Sequence, residues 1–390
     1  MANVRVKVKP ELLRWARERA RLGMAELEHR FPRLDGWESG AVEPTLKQLE
    51  AYAKATHTPI GYLFLDEPPD EPLPIPDFRT MGGAAIRRPT PDLLETVYNC
   101  QERQDWYGEY LRETGGERCE FVGSATLESP VVEVAEAIRS ALGFDFDERA
   151  RFPTWDKARS AFIGAADAAG ILVMVSCIVM NNTHRRLDPE EFRGFALSDE
   201  FAPLVFVNGS DSKSAQMFTM AHELAHIWLG QSAVSDTTVA SPGQNAVERW
   251  CNRVAAEVLA PLALVKTQLR DLERNRQAPN LDTAVITLVR AFKVSSLVIL
   301  RRLRDVSFLS SHDFDAAYKA EVKRIAELPK TSSGGDFYLT AAVRYSRRFT
   351  RALVESTTEG RTLYRDAFRL LGISKTETFR ELGESLVASI

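Results

Sequence analysis

Phe218-Thr-Met-Ala-His-Glu-Leu-Ala-His226, inside the run Lys213 to Trp228, decides the fold. His222 and His226 are four residues apart, so on a helix their directions differ by only about 40° and both imidazoles leave one face. Two neutral imidazoles placed this way can reach one tetrahedral Zn²⁺. Glu223 lies about 100° round the same helix. From there it touches a water polarised by the metal without ligating the metal, which is the position of a general base. The His-Glu-x-x-His spacing is the sequence signature of that arrangement. A surface helix with two histidines is the bland alternative. Phe218, Met220, Ile227, Trp228 and Leu229 flank the motif and argue for a buried helix. Two histidines and a glutamate buried there without a metal would carry a heavy desolvation cost.

Working outward, Ile171 to Val179 is β-branched and apolar, a buried strand. Gly194 to Leu197 and Leu204 to Val207 read as two more short strands, and Asn208-Gly209 as the turn that follows. A zinc centre of this kind wants a third protein ligand and one open position. The downstream candidates are Asp236, Glu248, Glu257 and, more remotely, His312. Ala246 to Leu259 reads as a helix ended by Pro261, on which Glu248 and Asn252 share a face. Glu248 is assigned as the third ligand, with Asn252 supporting a histidine's far nitrogen or the backbone of the site. Glu257 sits about 180° round from Glu248, so it reads as a solvated or ion-paired carboxylate.

The 390 residues suggest two or three domains, and 44% hydrophobic with 27% charged residues is a globular composition. A net charge of −4 does not advertise nucleic-acid binding, although a local basic patch remains compatible with it. The four cysteines, Cys100, Cys119, Cys177 and Cys251, form no C-x-x-C pair and suggest buried thiols. Met1 to Pro10 lacks the apolar core of a secretory signal, and no run of 18 apolar residues is present. A cytoplasmic address with no membrane partner is therefore expected.

The expected fold class is α+β and mainly helical. Its zincin-like core, with a three-stranded sheet and the His-Glu-x-x-His helix, spans residues 131–265. Residues 1–66 form short helices, with Thr45 capping the helix that carries Leu46, Leu49, Tyr52 and Ala53. Five prolines between Asp66 and Pro76 preclude a helix and imply an extended linker over 67–80. A helical connector follows over 81–130, with helices at 91–114 and, in the core, at Val131 to Leu142 and Trp155 to Ala169. A helical segment covers 266–330 and a helical tail 331–390. In that tail Arg344, Arg347, Arg348, Arg351, Arg361, Arg365 and Arg369 alternate with apolar residues at helical spacing. Packed amphipathic helices, or a surface where a partner docks, account for this.

Phe218 to His226, followed by Glu248-Arg-Trp-Cys-Asn-Arg-Val-Ala-Ala-Glu-Val-Leu-Ala-Pro261, resembles the ImmA/IrrE family of zinc metallopeptidases. Arg193 to Leu197, Val205 to Asn208 and Ala291 to Leu303 fit the same resemblance, which covers roughly residues 130–305. It implies one Zn²⁺ per chain and a peptidase acting on a specific protein, often a repressor, or a regulator whose protease domain senses a signal. The expected function is a zinc-dependent endopeptidase that cleaves a specific regulator or partner. A peptide substrate pairing with a strand edge would use Gly194, Phe195, Ala196 and Leu197, or alternatively Leu204 to Asn208.

Residues 10–65 resemble the helix-turn-helix of Xre-type repressors through Leu13 to Arg17, Glu26-Leu27, Trp37 to Gly40 and Pro44 to Leu46. Proteins with this fusion are commonly DNA-binding regulators, and some are antitoxins beside a toxin. The alternative function is therefore a DNA-binding or toxin-binding regulator with a sensing or structural zinc site. This sequence departs from the pattern: about four residues are missing between the Glu-Leu and Trp-Glu pairs, and Pro32 and Gly36 interrupt what is left. That shortens the element that reads base edges. Arg14, Arg17, Arg21, Arg30 and Arg33 are the candidate phosphate or partner contacts; a solvated basic face explains them equally. A homodimer is compatible with either function.

Overall fold

The computed structural model describes residues 4–79, 88–235, 245–274, 280–327 and 344–387. The chain divides into two compact units. One consists of Met1–Pro74 and Ala85–Tyr98, the other of Ile75–Ala84 and Asn99–Ile390.

The first unit is helical, with α1 (Pro10–Arg19), α2 (Met24–Glu28), α3 (Leu34–Glu38), α4 (Leu46–Ala55) and a 3-10 turn at Ile60–Phe64. Leu12, Leu13, Leu34, Leu49, Tyr52 and Leu63 are fully enclosed. The rings of Phe31 and Trp37 both meet Tyr52 edge-on, and the Tyr52 hydroxyl donates to the Leu13 carbonyl at 2.7 Å. Thr45 starts α4 through a reciprocal cap: its hydroxyl accepts from Gln48 N, and Gln48 Oε1 accepts from Thr45 N. α2 and α3 have only five residues each. Pro32 lies between them, while Gly36 is accommodated inside α3.

α5 (Pro91–Thr114) follows. In the second unit come α6 (Val131–Leu142), α7 (Phe146–Arg151), α8 (Trp155–Ala168), β1 (Leu172–Ser176), β2 (Gly194–Leu197), β3 (Leu204–Asn208), α9 (Lys213–Leu229), β4 (Ala233–Val234) and α10 (Ala246–Leu259). After these come α11 (Leu262–Arg274), α12 (Leu281–Phe292), α13 (Ser296–Asp305), α14 (Ser311–Ala326), α15 (Arg347–Thr358), α16 (Tyr364–Leu371) and α17 (Thr376–Val387).

The sheet has four strands in the order β1-β3-β2-β4, with β1 parallel to β3 and β2 antiparallel to both of its neighbours. This corrects two expectations. The sheet is not three-stranded, because the two residues of β4 add a strand too short to leave an alternating pattern. Nor do Gly194 to Leu197 form an edge: β2 pairs with β3 on one side, and Phe195 and Ala196 pair with Val234 and Ala233 on the other. β3 is likewise an inner strand, between β1 and β2.

α9 lies across β2 and β3 and packs along α10, which in turn packs on α6. Its apolar residues leave on all sides because it is covered on all sides, and thirteen of its seventeen residues are buried. Ser212 caps its start and Gly230, in the left-handed region at φ 67°, ends it. The C-terminal helices pack on the same unit. Ser346 donates to Asp167 Oδ1, Arg103 donates to the Leu370 carbonyl, and the Asn181 amide donates to the carbonyls of Leu371 and Gly372. All four cysteines are free thiols; Cys100 and Cys251 are buried, Cys119 and Cys177 half-buried. Among the described residues no single helix is long and apolar enough to cross a membrane.

Candidate metal centre

α9 and α10 bring His222, His226 and Glu248 to one point, with ligand atoms that all lie within 4.8 Å of one another. The two Nε2 atoms are 3.2 Å apart. His226 Nε2 is 3.1 Å from Glu248 Oε1, and His222 Nε2 is 3.3 Å from Glu248 Oε2. None of the three is more than 1% exposed. On the far side of its ring, His222 Nδ1 is 3.1 Å from Asn252 Oδ1. An Nδ1–H donating there leaves the Nε2 lone pair pointing into the cluster. Glu248 and Asn252 serve one site because they are one turn apart on α10.

The electrostatics describe a site short of positive charge. Burial alone would raise the Glu248 carboxyl, but the two imidazoles beside it prevail and hold it down at about 2. Burial pushes His222 down, and Glu248 more than reverses this; for His226 burial wins and the shift is downward. One carboxylate and two imidazoles thus compete for a single positive charge, and a metal ion can supply it in place of a proton. Among the described residues Glu248 Oε2 and His226 Nδ1 have no hydrogen-bond partner, a condition that buried polar atoms seldom tolerate.

Glu223 is fully buried on the adjoining face of α9. Its Oε2 accepts from the Ser235 hydroxyl at 3.1 Å, while Oε1 meets no hydrogen-bond partner among the described residues. Burial pushes this carboxyl up to about 8, with His222 and the Ser235 hydroxyl working against the rise and Glu248 adding to it. Gly194 explains how β2 comes so near. A Cβ there would meet Thr219 Cγ2 at 2.5 Å, the Phe206 carbonyl at 2.7 Å and Glu223 Oε1 at 3.1 Å. Only a residue without a side chain lets the strand lie on α9 beside this carboxylate.

The other candidates fall elsewhere. Glu257 lies on α10 and pairs with Arg302 at 2.9 Å, and both side chains are about 5% exposed. His312 is 95% exposed, beside Asp313. Asp236 lies outside the described residues. Of the N-terminal arginines, Arg17 forks onto the buried Glu38 carboxylate at 2.7 and 2.9 Å and Arg14 donates to the Glu38 carbonyl. Arg17 is thereby held in an ion pair within the helical unit. Arg21, Arg30 and Arg33 are exposed, and Arg30 also lies over the Phe31 ring.

Sequence reasoning missed Ser235, Gly194's packing role and Phe78, whose ring stacks on His226 with centroids 6.1 Å apart and planes at 27°. Nothing local in the sequence ties Phe78 to a motif far downstream. Gly194, at the start of an otherwise apolar strand, was the one available signal.

Residues 166–304 match the family model of the IrrE N-terminal-like domain, a peptidase family, and residues 345–385 match that of a domain of unknown function. The first match contains β1 to β4, α9, α10 and the whole cluster; the second falls on α15 to α17. No curated protein and no solved structure matches the chain. The matched family supports a metallopeptidase-type hydrolase in general.

Proposed function

We propose that this chain is a zinc-dependent endopeptidase that cleaves a specific regulator or partner protein. The observation that carries the reading is the buried cluster of two imidazoles and one carboxylate beside a glutamate with one oxygen that meets no donor among the described residues. A tetrahedral zinc with bonds of about 2.0–2.1 Å spaces its ligand atoms about 3.3 Å apart. The separations here are 3.1, 3.2 and 3.3 Å. His222, His226 and Glu248 would hold the ion. When bound, zinc supplies a Lewis acid that polarises the scissile carbonyl and makes water a better nucleophile at neutral pH.

The remaining roles belong to the chain. As the carboxylate, a state that a cation held by the adjoining cluster would favour against the burial that raises it, Glu223 Oε1 accepts the proton of the attacking water and returns it to the departing amine. Ser235 holds Oε2 and leaves Oε1 as the oxygen available for proton transfer. Asn252 fixes the tautomer and the plane of the His222 ring.

The test is Glu223→Gln, which keeps size and helix and is not in the ligand set. Zinc content and fold should be unchanged, while cleavage falls by a factor of roughly 10²–10⁴. Substrates are sought by incubating the purified protein with the products of neighbouring genes and reading new termini by mass spectrometry. Full zinc occupancy in both His222→Ala and His226→Ala would overturn the metal assignment. A cellular effect untouched by Glu223→Gln would turn the reading to a regulator that acts by binding alone.

A further inference from the structure

An extended peptide binds a peptidase cleft largely through its backbone, which needs an open strand edge beside the catalytic groups. Here that edge belongs to β4. Val234 is followed by Ser235, whose hydroxyl reaches Glu223, so the outer side of β4 borders the metal cluster. It is already taken. Val234 N donates to the Pro76 carbonyl and Phe78 N donates to the Val234 carbonyl, both at 2.9 Å, with Asp77 opposite Val234 in a parallel bridge. Pro76 has no N–H to offer, and this register asks for none. The ring of Phe78 lies against His226 and packs half-buried on the core. Arg79 then locks the turn: its guanidinium grips both oxygens of Asp77 at 2.8 and 2.7 Å and donates to the Glu191 carbonyl at 3.3 Å. A proline-rich spacer needs neither a strand ladder nor an aromatic ring on a candidate metal ligand.

We propose that Pro76–Phe78 is a tethered occupant of the substrate cleft. It holds the β4 edge in place of a substrate backbone, and Phe78 fills the slot beside His226 that receives a bulky aromatic side chain of the substrate. This rests on the peptidase reading of the same site. A segment joined to its own cleft competes at an effective concentration in the millimolar range. A free peptide at micromolar concentration therefore enters only after the segment has been drawn off β4. The substrate class is an extended peptide with an aromatic residue at the position Phe78 now takes.

The full-length, zinc-loaded protein carrying Glu223→Gln tests this with two readouts that need no turnover. One is the rate at which a chelator removes zinc. The other is fluorescence anisotropy of a labelled peptide of residues 73–79, Leu-Pro-Ile-Pro-Asp-Phe-Arg. Adding Phe78→Ala to the protein should speed zinc loss at least tenfold at unchanged stoichiometry and tighten peptide binding at least tenfold. A peptide in which Phe78 is replaced by Ala should not bind. Should Phe78→Ala fail to fold, Asp77→Ala keeps the ring, loosens the Arg79 grip and should shift both readouts the same way by a smaller factor. Zinc loss and peptide binding equal to those of the parent in a folded variant would overturn the proposal, as would faster zinc loss without peptide binding. With Glu223 restored, tight peptide binding but no cleavage of any peptide would count against the peptidase reading and leave the occupancy standing.

Discussion

Replacing Gly194 with alanine adds one methyl group where β2 crosses α9. The new carbon would stand 2.5 Å from Thr219 Cγ2, about 1 Å inside the usual separation of apolar carbons. It would also stand 2.7 Å from the Phe206 carbonyl, a backbone atom of β3 that no rotamer change can move. Overpacking of this kind costs about 1–3 kcal/mol, and the backbone contact points to the upper half of that range. The third contact, 3.1 Å to Glu223 Oε1, pushes the carboxylate off its position. Cleavage should therefore fall by more than the loss of folded protein explains. Urea unfolding followed by tryptophan fluorescence measures the first effect, and turnover per folded, zinc-loaded molecule the second. Thr219→Ser in the same chain removes the nearest methyl and should recover roughly half of the stability loss, since coupled neighbours share their penalty. If Gly194→Ala unfolds at the same urea concentration as the parent and cleaves as fast, β2 is free to lift off α9 and does not position Glu223.

Asn252→Ala removes the support of the His222 ring and should weaken zinc affinity by about 10–100-fold in chelator competition, with little change in unfolding. Glu248→Gln should lose the metal. Glu257→Gln should keep it but unfold more readily, by about 2–4 kcal/mol, because Arg302 is left as a buried cation with Asp305 as its remaining carboxylate partner among the described residues; isothermal metal titration and urea melts separate the two. Ser235→Ala withdraws a donor that holds the Glu223 carboxyl down. The group then titrates at higher pH, and since it works only as a carboxylate, the acid limb of the kcat/KM profile should move upward in pH.

How legible all this was depended on whether the information was local. The helix of His222 and His226, and the shared face of Glu248 and Asn252, follow from 3.6-residue periodicity within one element. The apolar runs at β1 and β3 read as strands because both are buried by the layers around them. β4 defeats such reading, since two residues carry no period and only pairing with Phe195 and Ala196 makes them a strand. The same holds for Pro76–Phe78. Five prolines correctly excluded a helix, but they say nothing about which distant strand an extended segment joins. Arg17 shows the converse: a basic residue on a helix reads as solvated until its partner, here the buried Glu38, is placed 21 residues away.

The clasp between Asn181 and the turn after α16 sets an order on the birth of the molecule. The Asn181 amide finds its acceptors 190 and 191 residues further along, and Arg103 waits still longer for the Leu370 carbonyl, 267 residues downstream. At about 5–20 residues per second, a ribosome that has just released Asn181 needs roughly 10–40 s to deliver its partners. Glu248, 67 residues after Asn181, is made within roughly 3–13 s at the same pace, so for the rest of the interval Asn181 and Arg103 are unclasped while His222, His226 and Glu248 have already been made. The nascent chain thus carries its candidate metal ligands before the helices that clasp Asn181 and Arg103 exist.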